Sequence, residues 1–212
     1  MKESNPSPLN QVADYYSKKI DQHGTTPLGV DWNGIAGQNL RFEQLSKIID
    51  SSCDFSIADL GCGYGAYANY LKEHYPSFTY RGIDISKKMI LAANQIYKEQ
   101  KNIEFITSDK PDSKTDYVIA SGIFNVRLET PIDVWVSYIE STIHTLDHSC
   151  TKGFSFNCLT TFSDSDKMQK KLYYANPCTL FELCKKLYSR NVALLHDYDL
   201  YEFTILVRKD YE

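Results

Sequence analysis

Ile57-Ala58-Asp59-Leu60-Gly61-Cys62-Gly63-Tyr64-Gly65 is the stretch from which the rest of the chain can be laid out. An apolar start, an acid near its end and three alternating glycines describe a buried strand running into a tight loop. Ala66-Tyr67-Ala68-Asn69-Tyr70-Leu71 follows with the pattern of a helix. Glycine at 61, 63 and 65 lets the backbone turn sharply and approach a ligand without Cβ clashes. The helix start then offers free N–H groups to whatever sits there. Any tight strand-to-helix turn would satisfy the loop alone. A second acid narrows the choice: Tyr80-Arg81-Gly82-Ile83-Asp84-Ile85-Ser86 is another strand, ending in Asp84, 19 residues past Gly65. A ribose-binding carboxylate stands at that distance in a nucleotide-binding βαβ unit.

On these residues the chain resembles the class I S-adenosylmethionine-dependent methyltransferases of the small-molecule type. Asp59-Leu60-Gly61-Cys62-Gly63-Tyr64-Gly65 is similar to the family's acidic-x-Gly-x-Gly-x-Gly loop, and Gly82-Ile83-Asp84-Ile85-Ser86 to its ribose-binding strand end. A nicotinamide fingerprint would read G-x-G-x-x-G, and Ala66 fits its last place, so spacing alone leaves that reading open. Asp59 separates the two, because a carboxylate repels a pyrophosphate and suits the methionine ammonium. The resemblance covers about residues 38–209, and its motifs are specific only up to about residue 125.

Composition bounds the alternatives. The 212 residues suffice for one domain with a full core. No apolar run approaches the ~18 residues that span a bilayer, and Met1-Lys2-Glu3-Ser4-Asn5-Pro6 lacks a signal-peptide core, so a cytoplasmic protein without membrane contact is expected. The six cysteines form no C-x-x-C pair and read as reduced core thiols. A net charge of −4 argues against a nucleic-acid substrate, which needs an excess of Lys and Arg. Sixteen tyrosines are enough for some to line a pocket.

In chain order, residues 1–8 read as a loose terminus and Leu9 to Ile20 as a helix with an apolar stripe. His23 to Gly37 is a long loop carrying glycines and Trp32, the composition of a lid. Residues 1–37 are thus expected to form an N-terminal lid segment and 38–212 the cofactor-binding domain. Asn39 to Ile49 is a second helix. Strands then fall at Ser56–Leu60, Phe78–Ile83, Ile103–Thr107, Asp116–Ser121 and Phe154–Leu159. Helices fall over Tyr64–His74, after Ser86 as N-cap, from a Thr130–Asp133 capping box with proline at its first position, and from Thr179. Val192–Leu195 and Glu202–Arg208 close the chain as a hairpin. Such alternation implies an α/β fold with a doubly wound, mainly parallel sheet. The resemblance adds seven strands, the last one antiparallel.

Ligands bind at the carboxyl ends of strands in such sheets. The resemblance implies S-adenosylmethionine as cofactor, with Asp59, Gly61, Cys62 and Gly63 at its methionine part, Asp84 on the ribose hydroxyls and Ile85 on the adenine. It further implies Asp109 near the adenine amino group, and Ser121, Gly122, Ile123 and Asn125 lining methionine and acceptor. Arg41 is expected on the cofactor carboxylate, where guanidinium geometry suits a bidentate contact; the alternative is a surface arginine. Tyr15, Tyr16, Trp32, Asn157, Tyr173, Tyr174 and Tyr198 are candidates for the acceptor wall, each otherwise an ordinary core or surface residue. His196 and Asp31 are candidate bases and Tyr16 a third catalytic candidate. A base is needed only if the acceptor must lose a proton.

No cluster of Asp, Glu and Asn at strand ends suggests a metal, so metal-dependent catechol-type chemistry is not expected. The expected activity is methyl transfer to the oxygen or nitrogen of a small molecule in a lid-covered pocket, by a monomer or homodimer. Methylation of protein or RNA, or a cofactor-binding partner subunit without turnover, are the alternatives.

Overall fold

The computed structural model describes residues 8–32 and 34–209. The loose terminus expected over 1–8 lies, for residues 1–7, outside them. Among the described residues, seven strands form one sheet in the order β3-β2-β1-β4-β5-β7-β6. They are β1 (Phe55–Leu60), β2 (Phe78–Asp84), β3 (Ile103–Thr107), β4 (Thr115–Ala120), β5 (Cys150–Leu159), β6 (Asn191–Leu195) and β7 (Glu202–Arg208). β7 runs antiparallel to both β5 and β6, and β1 to β5 pair in parallel. Order therefore reverses between β1 and β4, both buried almost throughout. The expected doubly wound, seven-stranded fold is the observed one.

Two aromatic-rich layers cover the sheet. On one face, α2 (Ile35–Ser46), α3 (Ala66–His74) and α4 (Lys87–Ile96) bury Phe42, Tyr67, Leu71 and Ala93 against Ile57, Tyr80 and Tyr117. On the other, α5 (Ile132–His148) and α6 (Pro177–Leu187) bury Trp135, Ile139, Leu180 and Cys184 against Phe154, Phe156 and Phe203. Each fully buried side chain of this size contributes about 1.5–3 kcal/mol relative to exposure. α1 (Pro8–His23) lies outside these layers and docks on α4, where Ser17 Oγ meets Ser86 Oγ at 2.9 Å and Lys88 pairs with Asp21 at 2.5 Å.

Several element ends differ from those expected. α1 runs three residues past Ile20, and a 3-10 turn, Pro27–Val30, occupies the supposed loop. α2 begins at Ile35 instead of Asn39, so the segment boundary expected at 37/38 falls within its first turn. No capping box forms at Thr130. Pro131 is itself the N-cap of α5, with no side-chain hydrogen bond there. Asn176 caps α6 in place of Thr179, its Oδ1 accepting from Cys178 N at 2.9 Å and Thr179 N at 3.3 Å, and Pro177 takes the first turn. β5 starts four residues early because Cys150 pairs with Thr115 ahead of a register shift. Of the cysteines, Cys62, Cys150, Cys158 and Cys184 are buried free thiols, whereas Cys53 and Cys178 are exposed.

Candidate active site

The loops after β1, β2, β3 and β4 meet at the carboxyl edge of the sheet around a cleft. Parallel pairing puts the ends of β1, β2 and β4 side by side, so residues far apart in sequence converge. Asp59, Gly61, Cys62, Gly63, Asp84, Ile85, Asp109, Ser121, Gly122 and Ile123 all line this cleft. Leu9, Val12 and Tyr16 of α1, with Val30 and Trp32, form its roof.

The glycine loop is fixed by β2. Gly61 N and Cys62 N both donate to Ile83 O, at 2.7 and 3.0 Å, and Gly63 N donates to Asp84 Oδ2 at 2.9 Å. Gly63 has φ +55°, and a Cβ there would stand 2.9 Å from Val30 Cγ1, so only glycine fits beneath the roof. Asp84 Oδ1 accepts from Ser86 N at 2.7 Å. Each Asp84 oxygen keeps a second acceptor site, enough for a vicinal diol. Burial raises the Asp84 carboxyl, against the lowering pull of its backbone donors.

Asp59 is 2% exposed. Its Oδ2 accepts from the Tyr80 hydroxyl at 2.7 Å, and its Oδ1 has no partner. Burial pushes this carboxyl up to about 7, the Tyr80 bond opposing and the Asp84 charge adding. Ser121 Oγ is likewise buried and unpartnered. Orphaned polar atoms in a native interior call for a ligand or water. One end of the cleft thus offers acceptors for a diol and the other an unpaired carboxylate oxygen beside a free hydroxyl. That distribution fits S-adenosylmethionine: Asp84 and Asp109 toward adenosine, Asp59 Oδ1 toward the methionine ammonium, Ser121 toward its carboxylate.

A second cleft opens from the first past a shared wall of Tyr16, Val30, Trp32 and Gly122. Asp31, Asn125 and Tyr174 line it. Arg41 also lies here, and not at the first cleft. It stacks on Trp32 with 4.0 Å to the ring centroid, donates to Gly37 O at 2.7 Å, and grips Glu202 through Nε at 2.9 Å and Nη2 at 2.7 Å. Its fork is spent on a protein carboxylate, which corrects its assignment to the cofactor carboxylate.

Asn157 is fully buried behind this wall. Its Oδ1 accepts from Gly122 N at 2.6 Å, and its Nδ2 donates to Glu202 Oε2 at 2.9 Å, so it supports the loop instead of facing an acceptor. Tyr198 turns its hydroxyl to Thr204 Oγ1 at 2.9 Å, and Tyr173 packs on the core layer under α5 and α6; neither lines a cleft. His196 is exposed beside Phe162 and Phe203 and lines neither cleft, which removes it as a base. Asp31 has Oδ2 accepting from the Tyr15 hydroxyl and Oδ1 paired with Lys19 at 2.6 Å, so both oxygens are engaged. Tyr15 lines neither cleft itself and reaches the second through its contacts with Asp31 and Lys171. Burial and the nearby Asp31 charge hold the Tyr16 phenol well above its ordinary value, which makes it a donor and not a phenolate.

Sequence reasoning missed Trp135 and Tyr138 of α5, Gln38 and Phe42 of α2, and Lys171 and Glu202 at the second cleft. Glu202 did carry a signal: it is an acid opening a run, Phe203–Val207, that is apolar but for Thr204. Trp135 Nε1 donates to Phe124 O at 2.9 Å and, with Asn125 Oδ1 accepting from Leu159 N at 3.0 Å, clamps the loop after β4.

Comparison with known proteins agrees with this geometry. A family model described as a methyltransferase domain matches residues 57–136. A protein of Mycobacterium tuberculosis (strain H37Rv) named as a candidate methyltransferase is 52% identical over 163 residues, covering 77% of this chain and 98% of the relative. A trans-aconitate 2-methyltransferase of Rhodopseudomonas palustris is 30% identical over 103 residues, covering 44% of this chain and 40% of that protein. Among solved structures, magnesium protoporphyrin IX methyltransferase from Synechocystis PCC 6803 with bound S-adenosylhomocysteine superposes with TM-score 0.69 at 16% identity, covering 96% of this chain and all of that one. The N-methyltransferase NodS from Bradyrhizobium japonicum, also with S-adenosylhomocysteine, gives TM-score 0.66 at 15% identity over 94% and 98% of the two chains. Glycine loop, strand-end acids, sheet order and a close relative converge: this chain belongs to the class I S-adenosylmethionine-dependent methyltransferases.

Proposed function

We propose that the enzyme methylates an oxygen or nitrogen of a small-molecule acceptor, held in the second cleft beneath the segment from α1 to Trp32 acting as a lid. The observation that carries this reading is the wall shared by the two clefts. An acceptor resting on Trp32 and Gly122 lies beside the methionine end of the cofactor cleft and is screened from solvent by Tyr16 and Val30.

Bound S-adenosylmethionine supplies an electrophilic methyl on a sulfonium that leaves as a neutral thioether. The chain's task is alignment and exclusion of water. Asp59 Oδ1 and Ser121 Oγ anchor the amino-acid end, Asp84 the ribose end, and the clamped 121–125 loop sets the line between them. The Tyr16 hydroxyl makes no hydrogen bond among the described residues and borders both clefts, so it is free to donate to the acceptor and orient it. With His196 outside and Asp31 doubly engaged, no free side-chain base faces the second cleft among the described residues, and a nucleophile that is already deprotonated fits best.

The test is S-adenosylhomocysteine formation against a small-molecule acceptor panel, with transfer RNA and a protein extract in parallel. Turnover with small molecules supports the reading; label transferred only to the macromolecules refutes it.

A further inference from the structure

We propose that the second cleft takes an organic acid, a carboxylate or phosphate on an apolar or aromatic body, whose anionic group is held by Lys171. The proposal rests on the small-molecule reading above and names the acceptor's chemistry.

The charges around the cleft decide it. Two carboxylates line the wall, and each already has a cation: Glu202 is gripped by Arg41 at 2.7 Å, and Asp31 is paired with Lys19 at 2.6 Å. Lys171 is half-buried in the same wall, and among the described residues no carboxylate lies within ion-pair distance of it. Its ammonium meets the Tyr15 hydroxyl at 3.3 Å and the Tyr15 ring face at 5.5 Å. Tyr15 donates its own proton to Asp31, so its oxygen can accept from Lys171 but cannot neutralise it. Lys19, Asp31 and Lys171 together carry one uncompensated positive charge, in a chain whose net charge is −4. A partly desolvated ammonium without a counter-ion is costly unless an anion arrives. Lys167 lines the same cleft nearer the surface, where it meets Asp166 at 3.4 Å. Val126, Leu159, Leu172, Trp32, Tyr174 and Tyr201 give the wall an apolar and aromatic side, and Asn125, Ser163 and Gln169 add neutral polar groups.

An ammonium without a counter-ion therefore sits beside apolar and aromatic side chains, and among the described residues the cleft offers no unpaired carboxylate to attract a cationic acceptor. A lysine with three rotatable donors takes either a carboxylate or a phosphate.

The experiment uses the full chain saturated with S-adenosylhomocysteine. Benzoate, phenyl phosphate and benzamide serve as probes of one shape and different charge, with binding followed by ligand-observed NMR and calorimetry. The same titrations are run on Lys171→Met and on Lys167→Ala. Saturable binding of benzoate or phenyl phosphate at least tenfold tighter than benzamide is expected, and the preference between the two acids identifies the anion. Lys171→Met should abolish that difference while leaving S-adenosylhomocysteine affinity within twofold; Lys167→Ala should keep most of it. Equal binding of acid and amide, no binding of either acid, or a preference that survives Lys171→Met overturns the proposal. Failure of wild-type protein to bind S-adenosylhomocysteine at all would instead count against the cofactor assignment, and it is read in the same titration.

Discussion

Replacing Glu202 by glutamine tests whether the second cleft is held together from within. The Glu202 side chain is 1% exposed and that of Arg41 12%, so water screens their pair poorly. Oε2 accepts from both Arg41 Nε and Asn157 Nδ2, each at 2.9 Å, and Oε1 from Arg41 Nη2 at 2.7 Å. Glutamine supplies one acceptor oxygen. Placed at the Oε2 position, it leaves its amide N–H₂ facing the Nη2 donor, and the guanidinium charge has no counter-ion. Breaking a buried pair from one side costs about 3–5 kcal/mol. For a domain of this size each kcal/mol lowers Tm by about 2–4 °C, so a fall on the order of 10 °C is expected. Urea unfolding followed by circular dichroism gives the free energy, and Trp32, stacked on Arg41, should report the disturbance by fluorescence. Arg41→Met removes the cation instead, and the double variant should recover about 2 kcal/mol relative to the sum of the singles. A Glu202→Gln cost below ~1 kcal/mol, or strictly additive singles, would refute the claim that the pair is a desolvated unit.

Asp84→Ala should weaken S-adenosylmethionine binding by about 1.5–3 kcal/mol, the scale of a hydrogen bond to a charged group, measured by calorimetry; unchanged affinity would leave Asp84 only its loop-fixing bonds. Because burial raises Asp59 to about 7, it is protonated in the free protein below that pH, and affinity for the cationic ammonium should rise up to tenfold per pH unit until about 7 and then level. The stability of the free protein carries the opposite sign: the unfolded carboxyl ionises near 3.8, so this group lowers stability as pH climbs from about 4 to 7, and Asp59→Asn should flatten both profiles. Gly122→Ala places a Cβ 2.5 Å from Trp32 Cζ2 at φ +72°, so the indole must move; a shifted Trp emission with turnover reduced at least tenfold is expected, and normal kinetics would detach Trp32 from the site. Deleting residues 1–34 removes the segment ahead of α2 and should leave a folded sheet that has lost methyl transfer; full turnover would show that α1 is no lid.

What the sequence made legible was local. Gly63 and Asp84, which its N–H meets, are 21 residues apart, and a strand-turn-helix pattern fixes where the loop and the acid go before any packing is known. Arg41 was misassigned because its partner, Glu202, lies 161 residues away, and nothing in the helix around Arg41 announces a buried acid. The capping box at Thr130 failed for a related reason: Thr130 is buried, its N–H donates to Arg127 O at 3.0 Å and its carbonyl accepts from Arg127 Nη1 at 2.8 Å, so the turn before the helix is held by Arg127. Tyrosines were the hardest to place. Tyr80, Tyr97 and Tyr117 are buried core, whereas Tyr16 and Tyr174 face clefts, and composition does not tell these apart.

The fates of His196 and Glu202 follow from one topological fact. Both flank the closing hairpin, and β6, like β1 to β5, ends at the carboxyl edge, where a following histidine would ordinarily face the ligand. Antiparallel β7, however, inserts between β5 and β6 and pairs with both. β6 becomes the outermost strand, and His196 is carried three positions along the sheet from β4 and the reversal point. The same insertion brings the start of β7, not its end, to the carboxyl edge, since Glu202 pairs opposite Leu159, the last residue of β5. An acid at the first position of an antiparallel strand therefore reaches the site that only the last positions of parallel strands otherwise reach. From there Glu202 bonds Arg41 of α2 on one side and Asn157 of β5 on the other, and through them it steadies Trp32 and Gly122 N, two parts of the wall between the clefts. The hairpin that closes the sheet thus also sets the geometry of that wall.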